Sequence, residues 1–77
     1  MEIEAFYKHE NCMDAFIFVN TIMPDNKDDH SIIVYVDWMC QGTTGYWTCQ
    51  NNDRFLIKLQ DLKKWKRYRP QGEYRYA

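Results

Sequence analysis

One stretch of strict alternation constrains this chain more than any other feature of its sequence. In residues 31–40, the apolar residues Ile32, Val34, Val36 and Trp38 occupy every second position. Because successive side chains of a β-strand point to opposite faces, a period of two predicts a strand with one continuous apolar face. A helix would scatter the same residues around all its sides, so the chain is predicted to be mainly β.

Four further runs of β-branched and aromatic residues predict strands at residues 5–8, 14–23, 46–50 and 54–59. The run at residues 14–23 is apolar on both faces, which is typical of a central strand. Its two faces are predicted to be Ala15, Ile17 and Val19 on one side and Phe16, Phe18 and Ile22 on the other.

Turn-forming residues separate these runs. Gly42 and Gly45 allow the backbone conformations of a tight hairpin between residues 31–40 and 46–50. The sequence Asn-Asn-Asp at residues 51–53 tolerates left-handed geometry and predicts a second reversal. Residues 24–30 (PDNKDDH) are polar and contain proline, so we expect an exposed, mobile loop there.

The period of the apolar residues changes within residues 54–65. Phe55 and Ile57 alternate as in a strand and, together with Leu59, are predicted to point inward. From Leu59 onward, apolar residues recur every three positions at Leu62 and Trp65, which predicts one or two helical turns. Trp65 is therefore predicted to close the core.

The chain has 77 residues, a length that holds a single hydrophobic core. Five short strands with one helical turn near the C-terminus favour a small five-stranded SH3-like barrel over a sandwich, which needs about seven strands. We expect residues 1–69 to form this single SH3-like domain. Residues 70–77 contain Pro70 and Gly72, and they are predicted to be either a flexible tail or an edge strand led by Tyr74 and Tyr76.

Residues 8–15 (KHENCMDA), followed by a strand, and residues 59–65 (LQDLKKW) resemble small uncharacterised proteins carried by phages and prophages. The similar segments contain no motif of known chemistry, so the resemblance implies no catalytic or binding residue. It implies a context. Many small phage proteins without enzymatic motifs act by occupying a host protein or ligand, including components of bacterial defence systems.

The cysteine count and the N-terminal residues bear on the compartment. An odd number of cysteines, Cys12, Cys40 and Cys49, cannot be paired fully within one chain, which disfavours a secreted disulfide scaffold. The first eight residues contain two glutamates and no long apolar run, and no window reaches the ~18 apolar residues of a membrane span. We expect a cytoplasmic location in a bacterial host cell and no membrane partner.

A zinc site is the one metal centre that the residue types suggest. His9 and Cys12 have H-x-x-C spacing, and Cys40 and Cys49 would complete a set of four ligands. The paired C-x-x-C knuckles of closed zinc sites are missing, however. We therefore expect no metal, and we expect the cysteines to act as small buried hydrophobic residues.

No other constellation predicts catalysis or a cofactor. The acidic residues Asp25, Asp28 and Asp29 lack the glycine and the closing glutamate of a calcium loop, so they are predicted to be solvated. The second histidine, His30, lies in the same acidic loop with no nucleophile convincingly paired to it. The glycine-rich motifs that cradle nucleotide phosphates are absent. We expect a non-enzymatic protein.

Charge is distributed unevenly along the chain. Residues 1–40 carry eight acidic and two basic residues, a balance of −6, whereas residues 41–77 carry three acidic and eight basic residues, a balance of +5. Such asymmetry favours oriented binding or self-association, so a homo-oligomer is compatible with the sequence. Alternatively, the two halves neutralise each other within one fold.

Basic and aromatic residues interleave near the C-terminus, and they are the candidate partner-binding residues. These are Lys63, Lys64, Lys66, Arg67, Tyr68, Arg69, Tyr74, Arg75 and Tyr76. Tyrosine and arginine are frequent hot spots of protein interfaces, which favours a host protein as the partner. The same residue types also suit single-stranded nucleic acid, because lysine and arginine neutralise phosphates and aromatic rings stack on bases. In a purely structural alternative, Tyr68 packs beside Trp65 and the lysines only solvate the helical turn.

These observations predict a small binding protein, and the phage resemblance implies an inhibitor that binds or sequesters a host factor of a defence system. The alternative is a nucleic-acid-binding module that uses the basic aromatic stretch. The identity of the target and a bound small nucleotide are both left open by the sequence.

Overall fold

A computed structural model describes residues 1–12, 15–41, 45–48, 51–70 and 73–76. Nearly all of the described residues lie in strands or in the turns between them. The strands are β1 (Ala5–His9), β2 (Phe16–Pro24), β3 (Ser31–Gln41), β4 (Gly45–Thr48), β5 (Asp53–Lys58), β6 (Trp65–Arg67) and β7 (Glu73–Tyr76). One 3₁₀ helix, Leu59–Lys64, connects β5 to β6. The predicted mainly β class and the predicted helical turn are both confirmed.

Five of the strands form an antiparallel sheet in the order β6-β1-β2-β3-β5. The strand β2 lies between β1 and β3, as its two apolar faces predict. Among the described residues, β6 pairs with β1 and β5 pairs with β3, and no pairing joins β5 to β6. The sheet is therefore open at these two edges and is not a closed barrel.

Besides β2, the long strand β3 pairs with two further strands. Its residues 31–36 pair with β5, and its residues 39–41 pair with β4. The hairpin predicted between β3 and the next run is confirmed, although its turn at residues 42–44 lies outside the described residues. The strand β7 adds to β4 in parallel, so β4 and β7 extend the sheet beyond the five strands.

The core lies on one face of the five-stranded sheet. The buried residues come from four strands and are between 0% and 6% exposed: Ala5, Tyr7, Ile17, Val19, Val34, Val36 and Ile57. The alternation is confirmed for residues 33–36, because Val34 and Val36 are fully buried whereas Ile33 and Tyr35, on the other face, are only half-buried. It does not continue to residue 40, since Asp37 and Met39 are buried and Trp38 is half-buried. Burial of apolar area on this face stabilises the fold at roughly 25 cal/mol per Å².

One predicted side-chain orientation in β2 is wrong. Ile22 was expected on the face opposite to Ile17 and Val19, but it packs against the same core as they do. The cause is a β-bulge: Val19 pairs with Val36 and Thr21 pairs with Tyr35, so one residue of β2 has no partner between them. An extra residue reverses the alternation, which returns Ile22 to the core face.

A second orientation is wrong at the end of β5. Phe55 and Ile57 point inward as predicted, but the strand ends at Lys58 and the side chain of Leu59 is 47% exposed. Leu59 is the first residue of the 3₁₀ helix, where alternation no longer applies. Leu62 and Trp65 do pack against the core, and Trp65 itself lies at the start of β6.

Candidate functional site

Strand β6 divides the basic stretch between two environments. At its start, the ring of Trp65 lies 4.9 Å from that of His9 and 6.0 Å from that of Phe55, so it belongs to the edge of the core. Antiparallel pairing then sets Lys66 opposite Lys8 and Arg67 opposite Tyr7. Because neighbours in a strand point to opposite faces, Lys66 and Arg67 emerge on different sides of the sheet.

Arg67 is held by two contacts with the N-terminal part of the chain. Its Nη1 lies 3.3 Å from Oε2 of Glu2, and its guanidinium carbon lies 5.9 Å from the centre of the Tyr7 ring. The backbone N–H of Glu2 in turn donates to the hydroxyl of Tyr7 at 2.7 Å. Tyr7 therefore orders both members of the ion pair, although the Arg67 side chain is still 62% exposed.

Two lysines of the basic stretch also have carboxylate neighbours. Nζ of Lys66 lies 3.9 Å from Glu10, and Nζ of Lys64 lies 3.2 Å from Asp61. All of these pairs are exposed and contribute little, about 0–1 kcal/mol each. Two of the three ion pairs join the first ten residues to β6. The uneven charge of the sequence is thus partly neutralised within the fold.

A shallow depression of about 440 Å³ lies beside the end of β6. Its lining combines cations and apolar rings: Glu4, Phe6, Arg67, Tyr68, Arg69 and Pro70. The backbone N–H of Tyr68 donates to the carbonyl of Phe6 at 2.9 Å, which carries the sheet one residue past β6 and sets the position of Arg69. The Tyr68 ring lies 5.0 Å from the Phe16 ring.

The remaining candidate residues, Tyr74, Arg75 and Tyr76, belong to β7. Their backbone pairs with residues 46–48 of β4, and their side chains lie outside the described residues. In the strand order, β7 and β6 stand at opposite ends. The structure therefore distributes the predicted stretch over the end of the 3₁₀ helix, β6, the residues that follow it and β7, and does not present it as one continuous element.

The second open edge of the sheet carries a cationic surface that the sequence reading missed. On β5, Arg54, Leu56 and Lys58 are exposed, and Leu56 retains 52% of its accessible area. A groove of about 390 Å³ separates this edge from the 3₁₀ helix and β6, and rings of His9, Phe55 and Trp65 line it. This surface could have been predicted from the sequence, because Arg54, Leu56 and Lys58 occupy every second position of a predicted strand.

The acidic loop is shaped by two of its own carboxylates. Asp25 accepts the N–H of Lys27 at 3.0 Å, and Asp28 accepts the N–H of His30 at 2.8 Å and the hydroxyl of Ser31 at 3.1 Å. The bond from the His30 N–H and, next, that from Ser31 lower the pKa of Asp28 below its ordinary 3.8, since both favour the ionised carboxylate. Residues 26–30 are exposed as predicted, whereas Pro24 still belongs to β2 and Asp25 is half-buried.

Two of the three cysteines are not buried hydrophobic residues. Cys12 and Cys40 are both exposed, which contradicts that expectation, and Cys49 lies outside the described residues. Cys12 follows the first strand in a turn, and Cys40 lies near the end of β3, where solvent reaches both side chains. In the part of the chain that the structure describes, no three histidine, cysteine or acidic residues come together as metal ligands.

Within the described ranges, no helix is both long enough and apolar enough to cross a membrane. Comparison with known protein families, curated proteins and solved structures finds no match to this chain.

Proposed function

We propose that this chain is a non-enzymatic binding module built on an SH3-like barrel. The order β6-β1-β2-β3-β5 supports that architecture, because the first strand lies between the second strand and the last strand of the sheet. The 3₁₀ helix immediately before β6 supports it as well. In this proposal, Trp65, Phe55 and Leu62 cover the gap between the two open edges with side chains instead of backbone hydrogen bonds.

The proposed binding region is the basic edge, which we define as Lys63, Lys64, Lys66, Arg67 and Arg69. Its arginines border the depression beside β6, and Lys66 points to the other side of the sheet from Arg67. The observation that carries the proposal is the depression beside β6, where two arginines flank the apolar surface of Phe6 and Pro70. Arginine and aromatic residues around a concave, partly apolar surface are the usual anchors of protein interfaces. The partner would present an acidic or aromatic side chain to the depression.

Charge favours a protein partner over nucleic acid at this edge. Three of its five cations have a carboxylate of this chain within 4 Å, at Glu2, Glu10 and Asp61. A phosphate backbone would need several of these cations at once and would meet the same carboxylates. A protein surface can use the two arginines and leave the lysine pairs in place.

The chain's resemblance to small phage proteins supports a specific role for this module. We propose that it acts in the bacterial cytoplasm as an inhibitor that occupies or sequesters a host protein, such as a component of a defence system. Occupation requires only surface complementarity, which agrees with the open depression and with a role that needs no catalytic group.

The test begins with capture of partners from bacterial lysate by the tagged protein, with and without nuclease treatment. The captured partner is then purified and its Kd is measured against Arg67→Ala, Arg69→Ala and Lys27→Ala. Each substitution removes one positive charge, and Lys27 lies in the exposed loop away from the basic edge. We expect either arginine variant to weaken binding by at least about 30-fold, the equivalent of ~2 kcal/mol, and Lys27→Ala to change it little.

Two results would overturn the proposal. Equal affinity for the arginine variants and for Lys27→Ala would show that the basic edge is a solvated surface. Loss of all captured material on nuclease treatment, with a steep fall in oligonucleotide affinity between about 50 and 200 mM salt, would show that the module binds nucleic acid.

A further inference from the structure

The edge of β5 differs from an ordinary exposed strand in the pattern of its side chains. We define the β5 edge as Arg54, Leu56 and Lys58, which lie at alternate positions and so share the face opposite to Phe55 and Ile57. A half-exposed leucine is thus flanked on both sides by a cation. Charged residues on an edge usually discourage pairing with other chains, but an apolar residue between them gives a strand of matching pattern something to bury.

The backbone of the same residues is oriented for pairing. The N–H of Leu59 donates to the carbonyl of His30 at 2.8 Å, which makes residues 30 and 59 a hydrogen-bonded pair next to the β3–β5 ladder. In an antiparallel ladder, hydrogen-bonded and non-hydrogen-bonded pairs alternate. The N–H and C=O groups of Arg54, Leu56 and Lys58 therefore point away from β3, and none of the described residues pairs with β5 on that side.

The groove beside β5 would receive the other face of an added strand. Side chains opposite Phe55 and Ile57 would point toward the volume of about 390 Å³, which is lined by the rings of His9, Phe55 and Trp65 and also by the polar residues Lys58, Gln60 and Asp61. His9 and Trp65 meet edge to face, with an interplanar angle of 84°, and both residues line the groove. An aliphatic residue at alternate positions of the added strand fits this lining.

We infer that the β5 edge binds an extended acidic segment of a protein partner by strand addition. The segment has the pattern acidic, aliphatic, aliphatic, aliphatic, acidic. Its two acidic residues pair with Arg54 and Lys58, its central residue covers Leu56, and the residues between enter the groove. This site is separate from the basic edge and does not rest on the function proposed for it.

A second copy of this chain is the competing occupant, and charge argues against it. Antiparallel pairing of two β5 strands with Leu56 opposite Leu56 sets Arg54 of one copy against Lys58 of the other, twice. Like charges directly opposite each other destabilise a strand pair. An acidic segment replaces both repulsions by attractions.

The experiment uses two synthetic peptides as probes, one with the core Glu-Val-Ile-Val-Glu and one with the core Lys-Val-Ile-Val-Lys. Both contain the same apolar residues, so their difference reports charge alone. Binding to the full chain is followed by NMR amide shifts and by hydrogen exchange. We expect the acidic peptide to bind at least about five-fold more tightly, with shifts and new protection at the amides of Arg54, Leu56 and Lys58.

A charge-reversed variant tests whether the charges of β5 set the preference for the acidic peptide. The double substitution Arg54→Glu with Lys58→Glu should invert the preference, so that the basic peptide binds more tightly than the acidic one. Lys27→Glu is the control for a change of net charge, and it should leave the original preference in place. Both sites of the double variant are exposed, so the fold should be retained, and the NMR spectrum checks this.

Three outcomes would overturn the inference. The acidic peptide could fail to bind at concentrations up to about 1 mM, a threshold near −4 kcal/mol. It could bind while the shifted amides lie in β6 rather than β5, or equally to wild-type protein and to the charge-reversed variant. A dimer detected in sedimentation, abolished by Leu56→Glu, would identify the second copy as the occupant instead. None of these outcomes depends on whether the basic edge binds a protein.

Discussion

The two open edges of the sheet, β5 and β6, have similar charge but different surroundings. On β6, the cations Lys66 and Arg67 each have a glutamate from the first ten residues within 4 Å. On β5, Arg54 and Lys58 have no carboxylate of the described residues within 4 Å, although Lys58 is attracted to Asp28 at longer range. An exposed leucine lies between the two cations. Edge strands expose unpaired backbone groups and need protection from other chains.

The comparison shows that one small sheet protects its edges in two ways. The short strand β6 has three residues and is covered by ion pairs and by the contact of Trp65 with the core. The longer strand β5 has six residues, of which three direct their backbone groups toward β3 and three direct them away from it. Arg54 and Lys58 are the charged residues that discourage pairing along this strand, and an anionic strand would neutralise them.

The largest effect should come from the inner face of β5. Ile57 is 3% exposed and belongs to the core, so Ile57→Ala should lower the free energy of unfolding by about 2–4 kcal/mol through lost burial and a cavity. In a chain whose core supplies roughly 3–5 kcal/mol, such a loss unfolds much of the population. Denaturant unfolding followed by circular dichroism measures it.

The neighbouring residue provides the matched control. Leu56→Ala removes a side chain of similar size from the exposed face of the same strand, and it should change stability by less than about 0.5 kcal/mol. Equal costs for the two substitutions would contradict the assignment of the faces, and with it the difference between the edge surface and the core.

An intermediate effect is expected at the ion pairs that cover β6. Glu2→Gln should destabilise the fold by less than about 1 kcal/mol, and the loss should vanish near 1 M salt because the pair with Arg67 is exposed. Glu10→Gln should cost less, since its distance to Lys66 is 3.9 Å rather than 3.3 Å. Thermal unfolding at several salt concentrations compares them.

An exposed acidic residue outside these ion pairs is the control for the effect of net charge on thermal stability. Asp29→Asn removes the same charge from a residue that forms no ion pair within the described part of the chain. A loss equal to that of Glu2→Gln would mean that only net charge matters and that the contact with Arg67 contributes nothing to the protection of β6.

The smallest effect should appear at acid pH, in the loop that leads into β3 opposite the end of β5. The pKa of Asp28 is lowered in the folded chain, so its ionised form contributes stability that is complete above the ordinary value of 3.8. That stability is lost as the pH falls through the lowered pKa. Asp28→Asn keeps an acceptor oxygen but cannot titrate, so its stability should fall less steeply below pH 3.8 than that of the wild type.

Unfolding curves between neutral and acid pH test this, with Asp29→Asn as the control because Asp29 lies beside Asp28 in the same loop. If wild type and Asp28→Asn lost stability in parallel, the hydrogen bonds from His30 and Ser31 would not be the cause of the acid sensitivity. The anchoring of Ser31, which pairs with Lys58, would then need another explanation.

The surface residues were predicted less well than the core residues, for a physical reason. Val34, Val36 and Ile57 were identified from alternation, because burial on one face imposes a period that is visible locally. Arg67 and Glu2 are 65 positions apart, and no periodic pattern connects them. Their contact exists because β1 and β6 are neighbours in the sheet, and pairing between distant segments leaves no short-range signal.

The two side-chain orientations that were predicted wrongly show that tertiary structure also decides features within a single segment. Ile22 was assigned to the outer face because one unpaired residue in β2 is invisible until the pairing with β3 is known. Leu59 was assigned to the core because its period agrees equally with the end of a strand and with the start of a 3₁₀ turn. In both cases the local pattern was present. A bulge within β2 decided the orientation of Ile22, and the boundary between strand and 3₁₀ helix decided that of Leu59.

The sequence by itself determined the β class, the strands at the centre of the sheet, the helical turn and the core residues of β3. These follow from side-chain period and turn chemistry, which act over a few residues. Tertiary structure alone decided that the sheet stays open, that the cations of β6 form ion pairs with N-terminal acids and that those of β5 form none with them in the described part of the chain. Those properties depend on which distant segments become neighbours, because electrostatic and packing energies are set by distance in space rather than by distance along the chain.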